Sequence, residues 1–390
     1  MTSTETDDLI EIDGSMLEGG GQILRIATTL SCKLSKSIKI VNIRHKRPKP
    51  GLAAQHLTSI QSAINFYTNI KTTGIKLGST SISIDFNSFF VPELRSTSMI
   101  EKIDIGTAGA ITLVLQTIFP IILDMESGSI QIIGGTRTNW SPWVDYFQNI
   151  FLPMSKCQNF VKFSTIKQGF FPVGGGQVIL EKVHRINNYG DTIESDTENL
   201  HYDYCEFGEI AKVELLVTAH GKMRNSAQQI ADLIVGKMKS SFNIVIDVDR
   251  DVSVSIYSGK GASCGAMLTV ISNKGFKKAH SDMIENNQSF RDFTDKVTVE
   301  FYEKVYLSKS CVDDNMADQL IVFMALGRDN SKIRCNYPLT LHTQTAMAIC
   351  SKFIERNFVV TPDGDDEEVQ TCVVSCTSGE IKQVTELVTY

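Results

Sequence analysis

Three stretches of the chain repeat one order of elements, and this recurrence restricts the fold more than any other feature. The first opens at "EGGGQILRIATTLSCKL", a glycine-led helix, and continues with the strand "SIKIVNIR", the helix "LAAQHLTSIQSAINFY" and extended segments such as "TSISIDF". The second opens at "GTAGAITLVLQTIF" and runs through "SIQIIGG" and a helix starting near "SPWVDYFQNIF" to "FVKFSTI" and "GGGQVILEKV". "MADQLIVFMAL", "SKIRCNY", "HTQTAMAICSKFIER", "NFVVTP" and "VQTCVVSC" repeat the order a third time. Helices are read from apolar steps of three and four residues, as in Leu57, Ile60, Ile64 and Tyr67, and strands from apolar alternation. The expected fold is α/β (α+β), made of three βαβαββ-type units, each a four-stranded sheet with two helices.

The spacing of the units shows an insertion. First helices begin near residues 20, 108 and 317, so the second interval is more than twice the first. The excess, between about residues 186 and 304, opens with the acidic "INNYGDTIESDTENLHYDY" and has its own alternation. There "AKVELLVTAHG", "NIVIDVD" and "GAMLTVIS" read as strands and "SAQQIADLIVGKMKSSF" as a helix. The expected organisation is a disordered tail over 1–10, a three-repeat domain from 11–185 and 305–390, and a small inserted α/β domain over 186–304.

Composition narrows the function classes. A net charge of -6 argues against coating nucleic acid by bulk charge and leaves room for a local basic pocket. No apolar run approaches the roughly 18 residues of a membrane span, and "MTSTETDD" lacks the basic and apolar regions of a secretory signal. The expectation is a protein of the nucleus or cytoplasm, neither secreted nor held in a membrane. Nine cysteines without a repeating spacing suit buried thiols, with Cys372 and Cys376 of "CVVSC" facing the core.

Several segments carry residues fit for chemistry. In "RHKRPKPGLAAQHL", Arg44, His45, Lys46, Arg47 and Lys49 end a strand beside a helix start, where fixed cations, terminal N–H groups and the helix dipole favour an anion. A solvated basic turn is the simpler reading, and strand alternation would keep Arg44 and His45 from facing one pocket. His56, one turn into that helix, reads by itself as a packing histidine. Gly19 to Gly21 of "DGSMLEGGGQILR" either admit a phosphate or permit tight strand-to-helix packing, and no P-loop lysine follows. Glu18 and Arg25 flank them, able to face one site or to pair. Glu11 stands where a lysine nucleotidyl-transferase motif would need lysine. Gln116 needs a polar partner on an apolar helix. Asp313, Asp314 and Asp318 at a helix start are caps or ligands for magnesium, and His342 opens the last helix.

As a set these residues resemble the RNA 3'-terminal phosphate cyclase family. The strings "DGSMLEGGGQILR", "RHKRPKPGLAAQHL", "GTAGAITLVLQ", "FFPVGGGQV", "ADQL" and "LHTQTA" follow in the family's order from about residue 11 to 358. The resemblance implies ATP-dependent conversion of an RNA 3'-phosphate to a 2',3'-cyclic phosphate, with ATP and Mg²⁺ (or Mn²⁺) as cofactors and RNA with a 3'-phosphate end as partner. It implies that His342 is the nucleophile carrying AMP, and that Gln116, Pro142, Asp318 and Gln319 contact ATP. Asn315 stands at a further ATP position, where members commonly have an aromatic residue or histidine. Glu18, Arg25, Arg44, Arg47 and His56 match pocket positions, Glu18 also as a metal ligand. Gln168 and Val173 are uncharged where members often carry basic residues. A related ribosome-assembly branch keeps the fold without the nucleophilic histidine, so His342 favours the enzyme. An enolpyruvyl-transferase type would need about twice as many repeats.

Overall fold

The computed structural model describes residues 9–86, 100–183, 185–186, 192–193, 197–363 and 370–378. Residues 1–8 of the expected tail and part of the acidic stretch after residue 186 lie outside them. The first unit contains β1 (Ile10–Asp13), α1 (Gly21–Leu34), β2 (Ile38–Val41), α2 (Ala54–Asn65), β3 (Lys71–Thr73) and β4 (Ile82–Asp85), in sheet order β1-β2-β4-β3. The second contains β5 (Ile100–Asp104), α3 (Ile111–Ile122), β6 (Gly128–Gly134), α4, β7 (Val161–Lys167) and β8 (Gly176–Lys182), in order β5-β6-β8-β7. Helix α4 starts at Val144–Tyr146 and passes through a π-helical turn, Phe147–Phe151, to Leu152–Met154.

The third unit starts with β9 (Asp203–Tyr204), within the span expected for the insert. A fourth sheet then intervenes, formed by β10 (Ile210–Gly221), β11 (Val252–Tyr257), β12 (Ala262–Ser272) and β13 (Lys277–Met283) in order β11-β10-β12-β13. Helices α5 (Ala227–Phe242) and α6 (Phe290–Phe301) pack on it and on each other. The third unit resumes with α7 (Asp314–Leu326), β14 (Ser331–Asn336), α8 (Leu341–Phe353), β15 (Arg356–Pro362) and β16 (Thr371–Ser378), in order β9-β14-β16-β15. In every unit the first two strands are parallel, because a helix crosses between them, and the remaining pairs are antiparallel.

Alternation explains which side of each strand is covered. Ile38 and Ile40, Ile130 and Ile132, Ile333 and Cys335, and Cys372, Val374 and Cys376 all point inward and are buried. Of the α2 stripe, Ile60 and Tyr67 are buried while Leu57 and Ile64 pack against the core from its edge. Helix α3 is apolar nearly all round, and only Leu113 and Gln116 escape burial. Such a helix belongs in the middle of a core. It packs on α1 and α2, while Phe119 meets Phe147 and Phe151 edge-on at 5.4 and 5.7 Å and reaches Phe323 of α7 at 6.3 Å. Among the described residues no helix is long and apolar enough to cross a membrane.

Three local readings need correction. "NIVIDVD" alternates like a strand but forms none, because the Asp247 carboxylate accepts from the Asp249 and Arg250 N–H groups and caps a helical turn over Val248–Asp251. The strand lies just beyond it, at β11. "SIKIVNIR" stops being a strand at Val41, since Asn42 and Arg44 take left-handed φ angles of 54° and 52°. The basic segment is therefore a run of turns, and alternation does not decide which of its side chains share a face.

Asp313 joins three parts of the molecule. It caps α7 by accepting from Met316 N–H at 2.9 Å, accepts from the Tyr146 hydroxyl of α4 at 2.6 Å, and accepts from Ala279 N–H of β13 at 2.8 Å. Burial pushes its pKa up to about 6 against these three donors. This is the cap alternative for that carboxylate. Asp313→Ala strands a buried hydroxyl and a buried N–H, so a loss on the order of 3 kcal/mol is expected in denaturant unfolding. Asp314→Ala, at a half-buried site with an Asn336 partner, is expected to cost about 1 kcal/mol; equal losses in the two variants would contradict the account.

Candidate active site

The glycines before α1 bring two other elements close to its first turn. A Cβ on Gly21 would sit 2.6 Å from His56 Nε2 and 2.8 Å from Arg25 Nη1, so only glycine lets the α2 histidine and the α1 arginine converge there. His56 also caps its own helix, its Nδ1 accepting from Ala53 N–H at 3.2 Å. Burial, with Arg25 and Arg44 nearby, pushes its pKa down to about 3, so the ring is neutral at physiological pH.

Gln22, the second residue of α1, is the point where units meet. Its Nε2 donates to Asp318 Oδ2 of α7 at 3.0 Å, its Oε1 accepts from Arg25 Nη2 at 3.0 Å, and the same oxygen lies 3.2 Å from His342 Nδ1 of α8. Gln22, Arg25 and Asp318 are buried, whereas His342 is exposed in the first turn of its helix. Desolvation lowers the pKa of His342 below its ordinary value, with the charge of Glu18 opposing and those of Arg25 and Arg47 assisting. The same cause acts oppositely on the acid: burial pushes Asp318 up to about 7, although the Gln22 bond and the Arg25 charge pull it down. One Asp318 oxygen, Oδ1, is buried without a partner.

At this network a pocket is lined by the polar Gln22, Arg25, Gln116, Asp318 and Gln319 and by the aromatic Phe119, Phe147, Phe151 and Phe323. Two of the expected ATP residues stand apart. Pro142 is buried, its carbonyl accepting from Thr112 Oγ1 at 2.6 Å, and Asn315 is exposed, its carbonyl accepting from Gln319 Nε2 at 2.5 Å. Among the described residues neither lines this pocket.

The basic turn is partly neutralised. Arg47 pairs with the Glu18 carboxylate, and Arg44 Nη1 donates to Gly51 O at 2.9 Å, so Arg44 braces the turn that leads into α2. Glu18 therefore pairs with Arg47 and not with Arg25. Its N–H reaches Thr345 Oγ1 of α8 at 3.4 Å, and its second carboxylate oxygen, Oε2, is buried without a partner. No group of three His, Cys, Asp or Glu side chains able to hold a metal ion occurs among the described residues. Glu18 Oε2 could supply one oxygen to a hard cation, and substrate phosphates and water would have to complete the shell.

Residues 16–360 match the family model described as RNA 3'-terminal phosphate cyclase. The chain belongs to the RNA 3'-terminal phosphate cyclase family. Curated relatives bearing the name RNA 3'-terminal phosphate cyclase include one from Pyrobaculum aerophilum, 31% identical over 356 residues that cover 90% of this chain and 94% of the relative. One from Saccharolobus solfataricus is 32% identical over 349 residues, covering 89% and 95%, and one from Archaeoglobus fulgidus is 30% identical over 351 residues, covering 89% and 96%. The family match spans the second unit, the fourth sheet and most of the first and third units, leaving out β1 and β16. Within this cyclase-family chain, Gln22 is the residue that motif reading passed over. Its place one helical turn before Arg25, at the start of a helix buried along most of its length, is the signal that could have marked it.

The raised pKa of Asp318 has a measurable consequence. The folded protein keeps a proton on Asp318 up to about pH 7, whereas the unfolded chain releases it near the ordinary 3.8, so this group's effect on stability becomes more unfavourable as pH rises between those values. Asp318→Asn cannot ionise and keeps an acceptor for Gln22. Its melting temperature is expected to gain on that of the wild type from pH 4 to 7 and to hold the gain at pH 8. A difference that stays constant across this range in thermal unfolding would refute the assignment.

Proposed function

We propose that the chain converts an RNA 3'-phosphate end into a 2',3'-cyclic phosphate using ATP, by way of AMP carried on His342 and then on the RNA phosphate. The observation that carries this reading is the position of His342: its imidazole lies 3.2 Å from Gln22, which lines the pocket together with Arg25, Asp318 and Gln319, and desolvation and the charges of Arg25 and Arg47 lower its pKa below the ordinary value while Glu18 opposes them. Family membership supplies the substrate class.

In the first step the imidazole lone pair attacks the α-phosphorus of ATP, a P–N bond forms, and the P–O bond to pyrophosphate breaks with its electron pair on the leaving group. Arg25, Arg44 and Arg47 offset phosphate charge. An oxygen of the RNA 3'-phosphate then attacks the AMP phosphorus, and the P–N electrons return to the ring. Finally the vicinal 2'-OH attacks the 3'-phosphorus and AMP departs, the hydroxyl proton passing to solvent. This last step is intramolecular, so alignment of the two groups contributes most of the acceleration. A magnesium or manganese ion, when bound, would offset phosphate charge next to Glu18, whose Oε2 suits it. His56, neutral in the whole neutral range, suits hydrogen bonding better than proton donation.

Incubation with α-labelled ATP and Mg²⁺, followed by denaturing electrophoresis, tests the covalent step. Acid-labile, alkali-stable label is expected on the wild type and none on His342→Ala. Undiminished label in the variant would remove His342 from the mechanism, and absence of label from both would favour the ribosome-assembly reading. The labelling rate is expected to fall in acid with a midpoint below the ordinary histidine value of 6.5. Arg44→Ala and Arg47→Ala are expected to raise the KM for 3'-phosphate RNA by about tenfold each, or about 1.4 kcal/mol; unchanged cyclisation kinetics in both would contradict their role.

A further inference from the structure

We infer that Gln22 is a positioning residue for adenylyl transfer: its side-chain amide holds His342 in the tautomer with hydrogen on Nδ1 and the lone pair on Nε2, and couples that ring to the Asp318 carboxylate. The inference deepens the proposed function and rests on His342 being the nucleophile.

The direction of the Gln22 amide follows from its neighbours. A guanidinium only donates, so the Gln22 atom 3.0 Å from Arg25 Nη2 is the oxygen. The amide nitrogen then faces Asp318 Oδ2, an acceptor, at 3.0 Å. Reversing the amide would set its N–H groups against the guanidinium and its oxygen against the carboxylate. An amide oxygen only accepts, so the 3.2 Å contact with His342 is a hydrogen bond only when Nδ1 carries hydrogen. A neutral imidazole has one such hydrogen, and Nε2 is left bare. Gln22, Arg25 and Asp318 are 4%, 8% and 8% exposed, so the amide that imposes this choice is itself held in packed surroundings.

The arrangement suits the proton balance of both half-reactions. When Nε2 bonds to phosphorus the ring becomes cationic, and the Nδ1–H bond to Oε1 strengthens. Polarisation of the amide strengthens in turn the bond from its nitrogen to Asp318, so the carboxylate responds to a charge that it does not touch. When the RNA phosphate takes the AMP, the P–N electrons return to Nε2. The ring needs to gain or lose no proton in either half.

Two measurements test this. Long-range ¹H–¹⁵N correlation spectra of the full-length protein labelled with ¹⁵N-histidine, with the seven histidines resolved by comparison with His342→Ala, are expected to show Nδ1–H for His342 in the wild type and a shift to Nε2–H in Gln22→Leu. Nε2–H in the wild type would overturn the inference. In single-turnover labelling with α-labelled ATP, Gln22→Leu is expected to slow AMP attachment about 10- to 100-fold, by analogy with losing the orienting partner of a metal-bound histidine. The ATP concentration giving half the maximal rate should change less than about threefold, since a residue that orients the nucleophile acts on the chemical step. Gln22→Glu keeps an acceptor for Nδ1–H and is expected to restore part of the rate, more so below pH 7, where a protonated Asp318 can donate to it. A Leu variant as fast as the wild type, or one altered only in its ATP requirement, would overturn the inference while wild-type label lost in His342→Ala leaves the nucleophile assignment intact. Label persisting in His342→Ala would instead defeat that assignment and this inference together.

Discussion

A single amide, that of Gln22, is the contact around which the site is organised. Burying a guanidinium, a carboxylate and an amide is unfavourable unless each satisfies another, and here the partners come from α1, α7 and α8. No single unit contains the set, because Gln22 and Arg25 belong to the first and Asp318 and His342 to the third. The apolar α3 of the second unit lies alongside α1 and supplies Leu115, Gln116, Phe119 and Pro120 to the pocket lining. Three similar units are thus placed so that their unlike polar residues complete one network.

The same burial sets the chemical character of the groups. Loss of water disfavours whichever form is charged, so one environment lowers the pKa of His342 and keeps His56 neutral while it moves Asp318 toward its protonated form. The basic turn fits this setting without conflict with a net charge of -6, since Arg47 is matched by Glu18 and Arg44 is committed in part to the Gly51 carbonyl. Its positive charge is local. A long nucleic-acid backbone would call for a wider basic surface.

What could be read from residues alone was what is written locally. Alternation in β2, β6 and β14 and the apolar faces of the helices are short-range patterns, and their repetition identified three units before any contact was known, while the motif strings carried the resemblance to the family. Pairings across the chain left no such trace: Gln22 and His342 are 320 residues apart, and nothing near either names the other. Strand β9 has two residues, too few to show a period. The "NIVIDVD" segment shows a period and still forms no strand, because one aspartate caps a helical turn. Pro142 and Asn315 fall outside the pocket, although sequence position placed them with Gln116. Of the family-matched residues, geometry brings some together and leaves others apart.

The position of the fourth sheet within the third unit has a consequence in time. Strand β9 emerges from the ribosome soon after the first two units, but its partner β14 follows only after the whole intervening sheet and both of its helices, more than a hundred residues later. The first two units have every strand they need by Lys182, and domains generally fold as they are completed during synthesis. The nascent chain therefore holds two finished sheets and one waiting strand, with half of the Gln22 network facing solvent, until α7 and α8 arrive. Chemistry becomes available last, when the end of the chain closes over its beginning.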